Sequence, residues 1–297
     1  MFDLLTYPFI QNALMAGALV AAIAALMGYF LIIRGLTFAG HALPNIGFAG
    51  AAGAVLLNLD PVVGLCAFTL VAGSAIGLLG RRVNERDTSI GVIMTFALGL
   101  GLFFLARYNG YAERVYGILF GQIIGISSQD VLITAITSVG VLLALLLLFR
   151  PLLFSSFDPD LAEARGVPVQ ALGVIFLVLL AITISLAVQV IGALLVFVLL
   201  IGPPATAARL VRSPYRALAL AVALGVGYTL LGIYLAAENG VWPVSFFIAS
   251  ISFGVYLPVR LLSPLWLGRR ERQATRVPEA RIEPDTHRTE QLTGTSR

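Results

Sequence analysis

His41 and Asn45 stand four residues apart, with Pro44 between them, in the apolar stretch "IRGLTFAGHALPNIGFAGAAGAVLL" at 33–57. A spacing of four puts an imidazole and an amide on one face of a helix. Pro44 has no N–H, so the Gly40 carbonyl loses its helical partner and the helix is weakened there. Irregular backbone at membrane depth is tolerated where it lines a cavity, and transporters build ion sites at such places. Imidazole suits Zn²⁺, Cu²⁺ and Ni²⁺, whereas carboxylate-rich sites suit Mn²⁺. Gly40, His41, Pro44 and Asn45 thus form a candidate cation path, with His41 and Asn45 as the metal-facing pair. The alternative is a neutral His41 that hydrogen-bonds to Asn45 or to a neighbouring helix and holds the bundle together.

The elements that must position this pair are membrane helices. The 297-residue chain is 59% hydrophobic and only 11% charged, with a mean hydropathy of +0.96. Soluble domains carry about 25% charged residues. Apolar runs at 9–33, 36–57, 62–80, 89–106, 129–149, 169–188, 190–208, 217–237 and 242–262 predict nine crossings, or eight if the two runs meeting near Gln189 act as one. The run at 115–127 is too short to span and is expected to be re-entrant or interfacial. The single Cys66 excludes a disulfide within the chain and any cysteine-cluster metal site. Thr183, Ser185 and Gln189 are expected to bond locally.

All nineteen basic residues are arginine. A Walker A loop needs a lysine to reach the β- and γ-phosphates, so this chain does not carry a conventional P-loop ATPase; any ATP-driven transport needs a separate ATPase chain. Arg34, Arg81, Arg82, Arg86, Arg150, Arg165, Arg209, Arg212, Arg216 and Arg260 fall in one set of connecting segments, and only Arg107 and Arg114 in the alternate set. By the positive-inside rule the Arg-rich segments face the cytoplasm, with the N-terminus outside and the C-terminus inside. The first run lacks a basic n-region and reads as a retained helix. Residues 1–267 are expected to form the transmembrane domain and 268–297 a disordered cytoplasmic tail. Arg269, Arg270 and Arg272 either touch membrane lipid or act as a plain stop-transfer flank. Nothing in the sequence points to nucleic acid.

The longest Arg-side loop, 149–172, encodes a short capped helix. Asp158 is a good N-cap, Pro159 fits the first helical position, Asp160 and Glu163 load the positive end of the dipole, and Gly166 closes the helix. Such a helix is either linker architecture or a docking point.

Four stretches carry a resemblance to a known family: "RGLTFAGHALPNIGFAGAA" at 34–52, "RDTSIGVIMTFALGLG" at 86–101, "LLFSSFDPDLAEARGVPV" at 152–169 and "VIGALLVFVLLIGPPATAARL" at 190–210. They resemble the membrane subunits of ATP-binding-cassette importers for zinc, manganese and iron. The resemblance implies an all-α, type II importer-like permease that pairs with a second permease copy or a close homologue. It also implies two cytoplasmic ATPase subunits and an extracytoplasmic metal-binding protein, with a transported divalent ion and no permanently bound cofactor. The 156–166 segment becomes the coupling helix, with Ser156, Phe157, Asp158, Leu161, Ala162 and Gly166 at the ATPase contact. Pro203 and Pro204 become inner-gate candidates, against the alternative of a simple helix end. One departure stands out. Family members carry a "GDALSHA"-like sequence in the first stretch, and ungapped alignment puts His41 at their Asp and Asn45 at their His.

Gly47, Gly50, Ala51 and Gly53 permit close helix approach, either between subunits or within one. Two other function classes compete with the importer reading. A secondary transporter would show ionisable residues inside its spans, and the apolar runs hold no Asp or Glu beyond Asp130 at the edge of 129–149; a channel would not need a capped loop helix.

Overall fold

The computed structural model describes residues 7–78, 83–108 and 125–274, the side chains of 83–85, 194 and 263–274 excepted. Every regular element there is helical: α1 (Pro8–Ile33), α2 (Thr37–Leu56), α3 (Pro61–Leu78), α4 (Val83–Arg107), α5 (Ser128–Phe157), α6 (Pro159–Ala164), α7 (Val169–Ile191), α8 (Ala193–Leu210), α9 (Pro214–Asn239) and α10 (Val244–Ala274). The nine long helices fall on the nine apolar runs. Seven are long and apolar enough to cross a membrane. The polar groups and glycines of α2 lower its hydropathy, and the apolar part of α8 is the short Leu195–Leu210. Of the 115–127 run, residues 115–124 lie outside the described residues. So does the tail beyond Ala274; α10 itself runs on past Gly268 through "GRRERQA", whose Arg, Glu, Gln and Ala are strong helix formers.

Local chemistry sets the helix ends. Pro8 and Pro214 open α1 and α9 at their first turns. Ser127 and Asp130 form a reciprocal capping box at the start of α5: the Asp130 amide donates to Ser127 Oγ, and the Ser127 amide donates to Asp130 Oδ2 at 2.9 Å. At the end of α1 the Gly35 amide bonds the Ile32 carbonyl and the Leu36 amide bonds the Leu31 carbonyl, with Gly35 at φ +63°. This paired return is a Schellman motif, and it needs the left-handed residue that glycine supplies.

The bundle is organised around α1, 67% of whose most apolar stretch is buried, against 11% for α10. Small residues make this possible. Ala13, Ala16, Ala21, Ala24 and Ala25 are buried, and a Cβ on Gly28 would sit 1.8 Å from the Leu200 carbonyl oxygen of α8. Pro204, four residues after Leu200, has no N–H to offer that carbonyl, so Gly28 of α1 lies against an oxygen its own helix leaves free. Between α2 and α3 the approach is reciprocal: a Cβ on Gly50 would lie 2.2 Å from the Gly64 carbonyl oxygen, and the reverse distance is the same. Gly47 faces Thr69 and Leu65, and Gly53 faces Phe104. The small-residue stripe of α2 therefore serves packing within one chain. A buried hydroxyl pair, Thr69 and Ser185 at 2.7 Å, joins α3 to α7. Thr183 Oγ1 donates to the Leu179 carbonyl and Gln189 Nε2 to the Ser185 carbonyl, the local bonding their positions suggested.

Three prolines behave differently from the expectation. Pro44 does not interrupt α2, which is continuous from Thr37 to Leu56. Pro203 and Pro204 lie inside α8, which continues to Leu210, so they do not end a span. In both helices a nearby side chain supplies a main-chain carbonyl with an extra donor: Asn45 Nδ2 to the His41 carbonyl at 2.8 Å, and Thr206 Oγ1 to the Gly202 carbonyl at 2.8 Å. Neither bond reaches a carbonyl that the prolines free, those of Gly40, Leu199 and Leu200; each reinforces the chain beside the gap, and the helix runs on without the missing bonds. The real break comes at Gly192, at φ +87°, where one residue separates α7 from α8.

Candidate functional site

His41 is exposed on α2, and its ring meets Phe197 of α8 edge-on, with centroids 4.9 Å apart. Asn45 is half-buried; its Nδ2 is spent on the His41 main chain and lies 3.9 Å from Met94 Sδ of α4. The two side chains share a face, as their spacing required, but no bond joins the amide to the imidazole. The His41–Asn45 bond of the purely structural reading does not form, and the imidazole nitrogens remain open to that face. Gly40 and Pro44 are buried behind it, with Gly40 against Leu31 of α1. Among the described residues, no three His, Cys, Asp or Glu side chains gather where they could hold a metal ion. On this face the chain presents an imidazole and the carbonyl end of an amide. Phe197 and Met94 were not singled out from sequence; within unbroken apolar runs they carry no distinguishing signal.

The loop helix is built as its sequence dictates. Asp158 Oδ1 accepts the Leu161 amide at 2.9 Å, and Pro159 occupies the first turn. At the other end the Gly166 amide returns to the Glu163 carbonyl and the Val167 amide to the Ala162 carbonyl, at 2.9 and 3.0 Å, with Gly166 at φ +80°. This is a second Schellman motif. Of the proposed contact residues, Phe157 and Leu161 are 62% and 45% exposed. Asp158 and Gly166 are exposed as well, and Ser156 is half-buried. Ala162 departs from the expectation: it is fully buried and seats α6 on its own chain. A six-residue helix has no resolvable period, so its inward face could not be read from sequence.

Behind α6 lies a cavity of about 450 Å³ lined by Arg34, Arg86, Ser155, Ser156, Glu163 and Gln170 among others. Arg34 Nη1 donates to Ser155 Oγ at 3.2 Å and to Ser156 Oγ at 3.4 Å, and its guanidinium lies 5.6 Å from the Phe176 ring centroid. Arg86 Nη2 donates to the Gly35 carbonyl at 3.1 Å, and Arg86 Nε stands 3.7 Å from Asp87 Oδ1. Burial, and then the charge of Arg86, pull the Arg34 guanidinium down to about 10, so it stays a cation at neutral pH. In the sequence Arg34 registered only as an orientation signal, because a charge after an apolar run says nothing about what it touches.

Residues 6–262 match the ABC 3 transport family. The chain belongs to this family of ATP-binding-cassette metal-importer permeases. The manganese transport system membrane protein MntC of Halalkalibacterium halodurans is 32% identical over 281 residues, which are 92% of this chain and 96% of that protein. The manganese import system permease protein ScaB of Streptococcus parasanguinis is 33% identical over 77% of this chain and 82% of its own. A probable iron transport system membrane protein of Haemophilus influenzae is 31% identical over 80% of this chain and 89% of its own. Among solved structures, PsaBC from Streptococcus pneumoniae in complex with Fab superposes with a TM-score of 0.79 at 28% identity, covering 90% of this chain and 97% of that one. Membership accords with a chain that has no lysine for a Walker A loop.

Proposed function

We propose that this chain is the permease subunit of an ATP-driven importer that passes a divalent metal ion of the zinc, manganese or iron class across the cell membrane. In this reading α2 and α8 cross the membrane together with the other seven long helices, the N-terminus lies outside and the C-terminus in the cytoplasm. A second permease copy or close homologue completes the path, two ABC ATPases act from the cytoplasm, and an extracytoplasmic metal-binding protein delivers the ion. The single observation that carries this reading is α6: a doubly capped helix between α5 and α7 with Phe157 and Leu161 exposed. An apolar pair held outward on a rigid support is what a docking partner can grip. The manganese and iron names of the relatives support the cargo class.

The ion path is assigned to His41 and Asn45. Two ligands are too few to retain a divalent ion, and a second copy related by a two-fold axis would double them. Substituting an imidazole for a carboxylate removes a negative charge, so binding is weaker and softer in preference. Pro203 and Pro204, buried in α8 two helical turns beyond Phe197, are the inner-gate candidates of this reading. The test is metal uptake by cells supplied with the complete transporter carrying His41→Ala or His41→Asp. The first should cut uptake with assembly intact, and the second should shift preference toward Mn²⁺. Wild-type uptake and ion preference in both would reduce His41 to a packing residue and refute the path.

A further inference from the structure

The turn between α1 and α2 is three residues long, and charged groups from two directions hold it. Arg34, its first residue, reaches sideways to Ser155 and Ser156, the last turn of α5 before the loop helix. Gly35, its second, gives its carbonyl to Arg86 of α4. Leu36, its third, leads directly into α2 and is tied back to Leu31 by its amide. The stem of α6 and the root of the helix bearing His41 are therefore joined through one side chain.

We propose that Arg34 is a positioning residue of the transport cycle, a latch that passes displacement of α6 to the α1–α2 turn and so to the His41 helix. The proposal rests on the permease reading above and adds to it the part that carries the motion. Its chemistry suits a latch better than a rigid brace. A guanidinium that must stay fixed is usually given a carboxylate, which accepts two parallel N–H bonds. Arg34 instead has two neutral hydroxyl acceptors and the face of Phe176, interactions that hold it less tightly and can be exchanged. Both hydroxyls are themselves anchored: Ser155 Oγ and Ser156 Oγ donate to the Leu152 carbonyl, so they move with the end of α5. The cavity of about 450 Å³ beside them gives that end room to shift. Arg86, held at the same turn by the Gly35 carbonyl, is a second cation whose charge repels that of Arg34. Movement of α1 has an onward route as well, since Gly28, nearly two turns before Arg34, presses on the Leu200 carbonyl of α8.

The experiment reconstitutes the complete transporter, with its ATPases and binding protein, in liposomes and counts Mn²⁺ ions moved per ATP hydrolysed. Arg34→Ala should lower that ratio at least tenfold while ATPase binding and hydrolysis persist, and Arg34→Lys should recover part of it. Ser155→Ala with Ser156→Ala removes only two hydroxyl oxygens from a formed helix. It should lower the ratio similarly and add nothing on top of Arg34→Ala. A latch broken at either end is equally broken, whereas two unrelated packing defects would add. A wild-type ratio in the double serine variant overturns the proposal even if Arg34→Ala fails to assemble, and so does an additive triple variant. ATPase capture by the wild-type chain, and its loss in Leu161→Glu, report separately on the permease reading.

Discussion

Replacing Gly166 tests the loop helix with little confusion from packing. Gly166 sits at φ +80°, and a Cβ placed on it would meet nothing within 4 Å. The cost of a side chain there is purely conformational, about 1–2 kcal/mol for an L residue in left-handed backbone. Two bonds of the cap depend on that backbone, Gly166 to Glu163 and Val167 to Ala162. If the ATPase grips only the capped form, the whole penalty passes into binding, which is about 5- to 30-fold in Kd. Asn tolerates the left-handed region best and β-branched Val worst. The expected order of weakening is therefore Gly166→Asn, then Ala, then Val. The assay titrates the purified ATPase against the permease in lipid nanodiscs, with thermal melting as a control on the transmembrane bundle. Wild-type affinity in Gly166→Val refutes the reasoning, and so does an equal loss in all three.

Leu161→Glu or Phe157→Glu should abolish ATPase capture in a pull-down while leaving melting within ~0.5 kcal/mol of wild type, because both side chains point outward. Ala162→Glu should do the reverse in order, lowering the melting temperature first, since it drives a charge into a fully buried position. Gly28→Ala sets a methyl 1.8 Å from the Leu200 carbonyl oxygen and must push α1 away from α8. Overpacking of this kind costs about 1–3 kcal/mol, and an unchanged melting curve would mean that the two backbones do not meet so closely.

What the sequence made legible was local or compositional. The apolar runs located the nine long helices among the described residues, and Asp158 and Gly166 placed both ends of α6, because caps are decided by a few neighbouring residues. Partners were not legible. Gly47, Gly50 and Gly53 announced close approach without saying to what, and the answer, α3 and α4 of the same chain, depends on tertiary arrangement. Pro44, Pro203 and Pro204 read as breaks because the missing N–H is visible in sequence, whereas the Asn45 and Thr206 side chains that support the backbone nearby are visible only in space. Arg34 was visible as a charge, and its two serine partners more than a hundred residues later were not.

The central place of α1 has a consequence for how the protein is made. Its buried face waits for partners that are synthesised late: Gly17 lies against Thr229 and Ile233 of α9, and Gly28 against Leu200 of α8. Roughly 200 residues separate the first pair, so at about 5–20 residues per second α1 spends on the order of 10–40 s in the bilayer before the helices that enclose it exist. A soluble core helix exposed that long would invite aggregation. Here the interval is tolerable because lipid tails are as apolar as the partners to come, and because the waiting face is lined with Ala and Gly, which offer lipid little to hold.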